Sequence, residues 1–235
     1  MDALVWVAAL MPVAVLIFYI YRKDRASSEP VKELLKAFGL GMLSILASLL
    51  VSVPFEMLGL YSMEPSSVIG AISLSFFGAS IPEELAKFFM LWLLLRKSKY
   101  FDEKVDGIVY AVCVSMGFAA VENVMYLFDN YDSWLQVGIM RALFSIPGHF
   151  CFGVLMGYYY SLARFYPKSP KKNRAMILLA PIIVHGLFDS ILFVINVTPA
   201  ISGLLMIVFL VFCFKMWRYC SKNIKTHLER DKEVV

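Results

Sequence analysis

Charge is scarce in this chain: 17% of its 235 residues are Asp, Glu, Lys or Arg, against roughly 25% in ordinary soluble domains. Histidine occurs three times and cysteine four. No CxxC pair is present, and three of the cysteines (Cys113, Cys151 and Cys213) fall inside apolar runs. Buried reduced thiols are therefore expected rather than a disulfide framework. There is no HExxH, so the familiar zinc-protease helix is excluded, and no GxSxG elbow or other nucleophile signature stands out. Long polar loops are also missing. The longest connections run to about a dozen residues, which leaves no room for a separate soluble domain.

Apolar residues take the place of charge, making up 60% of the sequence. They gather in segments near 3–21, 34–53, 66–95, 105–128, 137–163, 175–196 and 200–217. An α-helix needs roughly 20 such residues to cross the hydrocarbon core, whereas a membrane barrel shows short alternating segments. The pattern excludes a soluble enzyme, a disordered tail and an outer-membrane barrel. The first run follows Met1-Asp2 and ends in Tyr19-Ile20-Tyr21-Arg22-Lys23. An acidic start with basic residues behind the run fits an uncleaved span rather than a signal peptide.

Lys and Arg are partitioned. Arg22, Lys23 and Arg25 follow the first span, and Arg96, Lys97, Lys99 and Lys104 follow the third. Arg164, Lys168, Lys171, Lys172 and Arg174 follow the fifth, and Lys222, Lys225, Arg230 and Lys232 lie in the tail. Connections 54–65, 129–136 and 197–199 contain neither residue. The positive-inside rule then puts the N-terminus outside and the C-terminus in the cytoplasm. The net charge of +4 reads as this orientation signal and not as a nucleic-acid surface. Segment 66–95 is long for one straight span, and Pro82 lies in its middle. A break near Ala79–Pro82 is expected, with Glu83 opening a new helix. The expected fold is an all-α polytopic transmembrane bundle of about seven crossings built from about eight helices. Residues 1–220 would form one domain and 221–235 a basic cytoplasmic tail.

Ionisable groups inside such spans are functional candidates by default, since charge in hydrocarbon is costly. They are Glu83, Glu84, Lys87, Glu122, Arg141, His149, His185 and Asp189. At 1.5 Å per residue, Glu83 stands ~20 Å above Arg96, Glu122 ~27 Å above Lys104, His149 ~22 Å above Arg164 and His185 ~16 Å above Arg174. Four segments thus bring acid or imidazole to the middle-to-outer membrane, as expected of one polar site that opens outward. Lys87 lies one turn from both Glu83 and Glu84, so the three also fit a plain helix-start charge cluster. Glu122 has no cation on its own helix and fits a pair with Arg141, which otherwise snorkels to the outer interface. His185 and Asp189, spaced i and i+4, suit two metal ligands or an oriented acid–base pair. Chemically, Glu83 or Glu84 can activate water, while Glu122, His149, His185 and Asp189 are reasonable Zn²⁺ ligands. The residues alone leave three classes open: a hydrolase, an ion-coupled transporter using the same groups as a relay, and a non-enzymatic membrane interaction protein.

Glu83-Glu84-x-x-Lys87, Asp106-Gly-Ile-Val-Tyr110, Gly117-Phe-Ala-Ala-Val-Glu122-Asn123, His149 and His185-Gly-Leu-Phe-Asp189, in this order, resemble the PrsW family of bacterial intramembrane proteases. The resemblance covers about residues 80–190 and extends to the wider group of CAAX proteases and bacteriocin-processing membrane proteins. Lys87 replaces that wider group's Arg, Glu122 its His and Asp189 its Asn, which favours PrsW over prenyl-substrate enzymes. The resemblance implies a multi-pass plasma-membrane peptidase making the site-1 cut in a single-span, membrane-anchored anti-sigma factor on the extracytoplasmic side. It implies Glu83, Glu84 and His185 as essential, with Glu83 as base and Glu84 and Lys87 balancing the charge. His149, His185, Asp189 and Glu122 would bind a metal such as Zn²⁺ or the oxyanion, with Asn123 in support. Both metallo- and metal-free glutamate mechanisms occur among such enzymes.

Overall fold

The structure, a computed structural model, describes residues 2–24, 29–166 and 170–232. Arg25, Lys168 and the last three tail residues lie outside the described residues. Among the described residues seven helices are long and apolar enough to cross a membrane: α1 (Asp2–Lys23), α2 (Val31–Met57), α3 (Val68–Leu95), α4 (Asp106–Asp129), α5 (Tyr131–Phe165), α6 (Pro170–Val197) and α7 (Ser202–Lys232). No strand occurs among the described residues.

Helix α4 is the axis of the bundle. Its residues Asp106 to Ala120 are buried without interruption, and α1, α2 and α5 pack directly on it. Helices α3 and α6 meet on the far side of the site, and α7 lies against α5 and α6 with most of its apolar surface outward. Small residues permit the tightest crossing. A Cβ on Gly41 of α2 would stand 2.0 Å from the Val114 carbonyl oxygen, and one on Gly117 of α4 would stand 2.0 Å from that of Phe38. Backbones meet there directly, which is how membrane helices gain packing when lipid supplies no hydrophobic drive.

The basic connections share one end of the bundle. Asp231 near the end of α7 accepts from the Lys104 and Val105 amides, and Tyr110 donates to Glu29 in the connection after α1. Helix α7 carries the basic tail as helix to Lys232, with Asn223, Ile224 and His227 buried and His227 stacked on Tyr158. The cysteines are free thiols, buried except for half-buried Cys213.

The expected break in 66–95 is absent. Helix α3 is continuous: Val68–Ser73 is α-helical, Leu74–Ser80 is π-helical, and Ile81–Leu95 is α-helical again. Among the described residues seven helices are long and apolar enough for the seven crossings, and the third is one helix of two α-helical parts joined by a π-helical stretch. Pro82 has no N–H to give, and a wider i→i+5 stretch placed just before it carries the chain through without interruption. Helix α5 repeats the device, with Trp134–Met140 α-helical, Arg141–Ser145 π-helical and Ile146–Phe165 α-helical through Pro147. The same tripeptide, Ser-Ile-Pro, marks both sites at 80–82 and 145–147.

Candidate active site

Just beyond each Ser-Ile-Pro come ionisable side chains: Glu83 and Glu84 on α3, and His149 on α5. Helix α4 brings Glu122 and Asn123, the π-helical turn of α5 brings Arg141, and α6 brings His185 and Asp189. All eight ionisable residues form one connected network. Arg141 Nη2 donates to Glu122 Oε2, which also lies 2.9 Å from His149 Nε2. The other nitrogen, Nδ1, lies 3.2 Å from Lys87 Nζ. Lys87 further donates to Glu83 Oε2 at 3.2 Å and Glu84 Oε1 at 2.8 Å. Glu84 Oε1 lies 2.9 Å from His185 Nδ1, and His185 Nε2 lies 3.1 Å from Asp189 Oδ2.

Donor and acceptor roles follow from the partners. An ammonium only donates, so His149 Nδ1 accepts from Lys87 and its proton sits on Nε2, facing Glu122. Both His185 nitrogens face carboxylates, an arrangement satisfied when both carry protons. Four carboxylates then meet Lys87, Arg141 and one imidazolium, which leaves the network one negative charge in excess. That excess suits a site that must accept a proton.

Aromatic rings hold the members in place. Phe152 stacks on His185 at 4.4 Å and 15° and meets the His149 ring edge-on at 5.7 Å. Lys87 Nζ lies 4.1 Å above Phe118. At the residue after His185, a Cβ on Gly186 would stand 2.4 Å from the Phe76 ring. The π-helical part of α3 is thus pressed against α6 beside the imidazole.

Glu83, Glu122, Arg141, His149, His185 and Asp189 face a cavity of about 200 Å³, with Phe152 and Phe188 among its apolar walls. Glu84 and Lys87 lie beneath it, fully buried, while the Glu83 side chain keeps 14% exposure. The adjacent acids, equivalent in sequence, therefore differ: Glu84 is the buried anchor and Glu83 faces the cavity. Asn123 braces the arrangement, its Oδ1 accepting from Arg141 Nε at 2.6 Å and its Nδ2 donating to the Ala9 carbonyl of α1 at 2.8 Å.

Glu122, His149, His185 and Asp189, the expected metal donors, all face this cavity. Glu122 contacts His149 and Asp189 contacts His185, and among the described residues three groups bring donor atoms within 4.8 Å of one another: two acidic ones at the basic end, Asp24 with Glu103 and Asp106 and Glu29 with Asp102 and Asp106, and in this site Glu83, Glu84 and His149. Two carboxylates and an imidazole fit a divalent ion such as Zn²⁺. Glu84 Oε2, buried without a hydrogen-bond partner, is a further vacant donor. Lys87 bonds the same three side chains, so an ion held there would have to displace its ammonium.

Sequence reasoning missed Phe152 and Tyr126. Phe152 was within reach, since it lies one turn from His149 on the same face of α5. Arg141, one of the intramembrane candidates and expected to pair with Glu122 or snorkel, makes that pair and also faces the cavity.

The description "PrsW family intramembrane metalloprotease" belongs to the family whose pattern matches residues 29–216. A protein called Protease PrsW from Clostridioides difficile (strain 630) is 36% identical over 232 residues, covering 96% of this chain and 92% of its own length. Another of that name, from Bacillus subtilis (strain 168), is 34% identical over 187 residues, or 79% of this chain and 81% of the relative. One from Oceanobacillus iheyensis is 32% identical over 186 residues, covering 79% and 81% respectively. No solved structure matches the chain. A match that spans most of the helical bundle, including every residue of the buried network, places this multi-pass plasma-membrane protein in the PrsW family of intramembrane peptidases.

Proposed function

We propose that this peptidase makes the site-1 cut in a single-span, membrane-anchored protein of the anti-sigma-factor type, on the extracytoplasmic side, with Glu83 as general base. The observation that carries the reading is the cavity itself. Glu83, His149 and His185 face one void toward the end of the bundle opposite the basic connections. Glu83 takes a proton from water as the water oxygen attacks the scissile carbonyl carbon. The positive charge of the doubly protonated His185, whose N–H groups stay with Glu84 and Asp189, stabilises the developing oxyanion across the cavity. Glu83 then returns the proton to the leaving nitrogen as the C–N bond breaks. Glu84 and Asp189 orient His185, Glu122 orients His149, and Lys87 balances the paired acids. A divalent ion held by Glu83, Glu84 and His149 would supply a Lewis acid and a more acidic water.

An ion relay is less well supported. Between Val105 and Val114, on the basic-loop side of the network, α4 is apolar apart from Asp106, Gly107 and Tyr110. The test reconstitutes purified protein with a single-span reporter carrying an extracytoplasmic domain. Glu83→Gln is expected to lower turnover by about 10²–10⁴-fold, the usual contribution of a positioned base. His185→Ala should also abolish detectable cleavage. Full activity in both variants would overturn the assignment. Loss of cleavage in chelator, restored by Zn²⁺, would support the metal-bound form.

A further inference from the structure

Beside the catalytic cavity lies a second void of about 450 Å³, lined by Asn130, Ser133, Gln136, Val137 and Met140 at the end away from the basic loops. Tyr126 and Arg141 line both voids. A chain moving from the outer depression to Glu83 therefore passes this pair. The inner cavity is smaller than the ~300–1,000 Å³ of ordinary ligand pockets, so it suits a narrow, extended stretch of polypeptide. An extended stretch brings unpaired backbone carbonyls into a site with little water, and each needs a donor.

Arg141 has donors to spare. Of the five N–H groups on a guanidinium, one on Nε binds Asn123 and one on Nη2 binds Glu122. Nη1 has no hydrogen bond among the described residues, and it is not among the buried atoms lacking a partner. Its N–H groups therefore remain open to the voids. The guanidinium is held rigidly from three sides: by Glu122, by Asn123 with its tie to α1, and by the Tyr126 ring 4.0 Å away. Lys87, the other cation of the network, is 1% exposed and out of a substrate's reach.

We propose that Arg141 is a substrate-contacting residue whose Nη1 N–H groups hold a main-chain carbonyl oxygen of the extended substrate as it enters the catalytic cavity. This rests on the catalytic reading of that cavity. Recognition through the backbone needs no particular side chain, and planar, fixed geometry separates a guanidinium from an ammonium in this role.

The test uses full-length protein in proteoliposomes and a fluorescent single-span reporter cleaved by the wild type. Arg141→Lys keeps the positive charge and removes the fork. KM is expected to rise about 10–100-fold with kcat within about threefold, as for loss of one charge-assisted bond made equally in the ground and transition states. Tyr126→Leu, which removes the brace and leaves the charge, should raise KM about 3–10-fold. Reporter binding measured in the Glu83→Gln background separates this proposal from the catalytic one. Adding Arg141→Lys there should weaken binding by the same factor as the KM change. Full activity of Glu83→Gln alone would overturn the catalytic reading without touching that binding comparison. If Arg141 served only to neutralise Glu122, Arg141→Lys and Tyr126→Leu would bind reporter like wild type, and Glu122→Gln/Arg141→Gln would recover the affinity lost in Arg141→Gln. Either result would overturn the anchor. Should Arg141→Lys fold poorly by thermal unfolding, Tyr126→Leu decides alone.

Discussion

Replacing Lys87 by Met removes the ammonium that joins the two halves of the network. The side chain is 1% exposed, donates to Glu83 and Glu84, lies 3.2 Å from His149 Nδ1 and rests on Phe118. Met fills similar volume, so the change is mainly electrostatic. Breaking a buried ion pair by removing one partner typically costs about 3–5 kcal/mol, because the other charge stays buried without compensation. Here two carboxylates are left, one of them fully buried. His185 still contacts Glu84 at 2.9 Å, so the lower half of that range, about 3–4 kcal/mol, is expected. Removing the stranded charge as well, in Glu84→Gln/Lys87→Met, should recover at least about 1 kcal/mol, since buried pairs replaced together are often nearly neutral. Equilibrium or thermal unfolding in a fixed detergent, followed by far-UV circular dichroism, measures both. Lys87→Met within about 1 kcal/mol of wild type, or a double variant no more stable than the single, would refute the view that Lys87 holds the acids together.

Other tests address the ends and the axis of the bundle. Gly117→Ala, which sets a Cβ against the Phe38 carbonyl, should destabilise the fold by about 1–3 kcal/mol in the same assay. Asp231→Ala removes acceptors from two amides at the start of α4 and should cost about 0.5–2 kcal/mol, with faster proteolysis of the end of α7. Asp24, in the connection after α1, has its carboxyl pushed up to about 7 by burial and then by the charges of Glu103 and Glu29. Folded protein therefore binds that proton more tightly than unfolded protein does. The contribution is complete below the ordinary carboxylate value near 4 and is lost as pH rises through about 7. Melting temperature in detergent should fall from about pH 4 to about pH 7 and level off above it, and Asp24→Asn should flatten the fall.

The membrane architecture was legible because hydropathy and the placement of Lys and Arg are properties of sequence alone. The shared depth of Glu83, Glu122, His149 and His185 was legible too, since helical rise is constant. What each side chain touches was not. Lys87 and His149 are 62 residues apart, and their contact depends on how α3 and α5 cross around α4. The contrast between Glu83 and Glu84 comes from the single face that α3 turns to the cavity, and spacing does not tell neighbouring carboxylates apart. The pairing of Arg141 with Glu122 was legible as one of two options, whereas its place on the cavity wall depends on how α4 and α5 pack. The continuity of α3 was misjudged for a local reason: Pro82 looked like a break, and a π-helical stretch absorbs it. The docking of the end of α7 was hidden by its charge, since Asp231 and His227 resemble any solvated tail until the amide donors and the stacking ring they meet are known.

The two π-helical stretches also set a phase relation. Each accommodates extra backbone in the turns ahead of the reactive side chains, and one residue of an α-helix corresponds to about 100° of rotation. The outer ends of α3 and α5 can thus choose their lipid-facing side independently of the inner ends, which aim Glu83 and His149. A helical wheel drawn through either whole segment would misplace these residues. Deleting a single codon within 74–80 would leave the hydrophobic length almost unchanged, so the protein would still span the membrane. Its paired carboxylates, however, would face away from the histidines. In this family member, catalytic competence is therefore exposed to a class of lesion that membrane insertion alone would not detect.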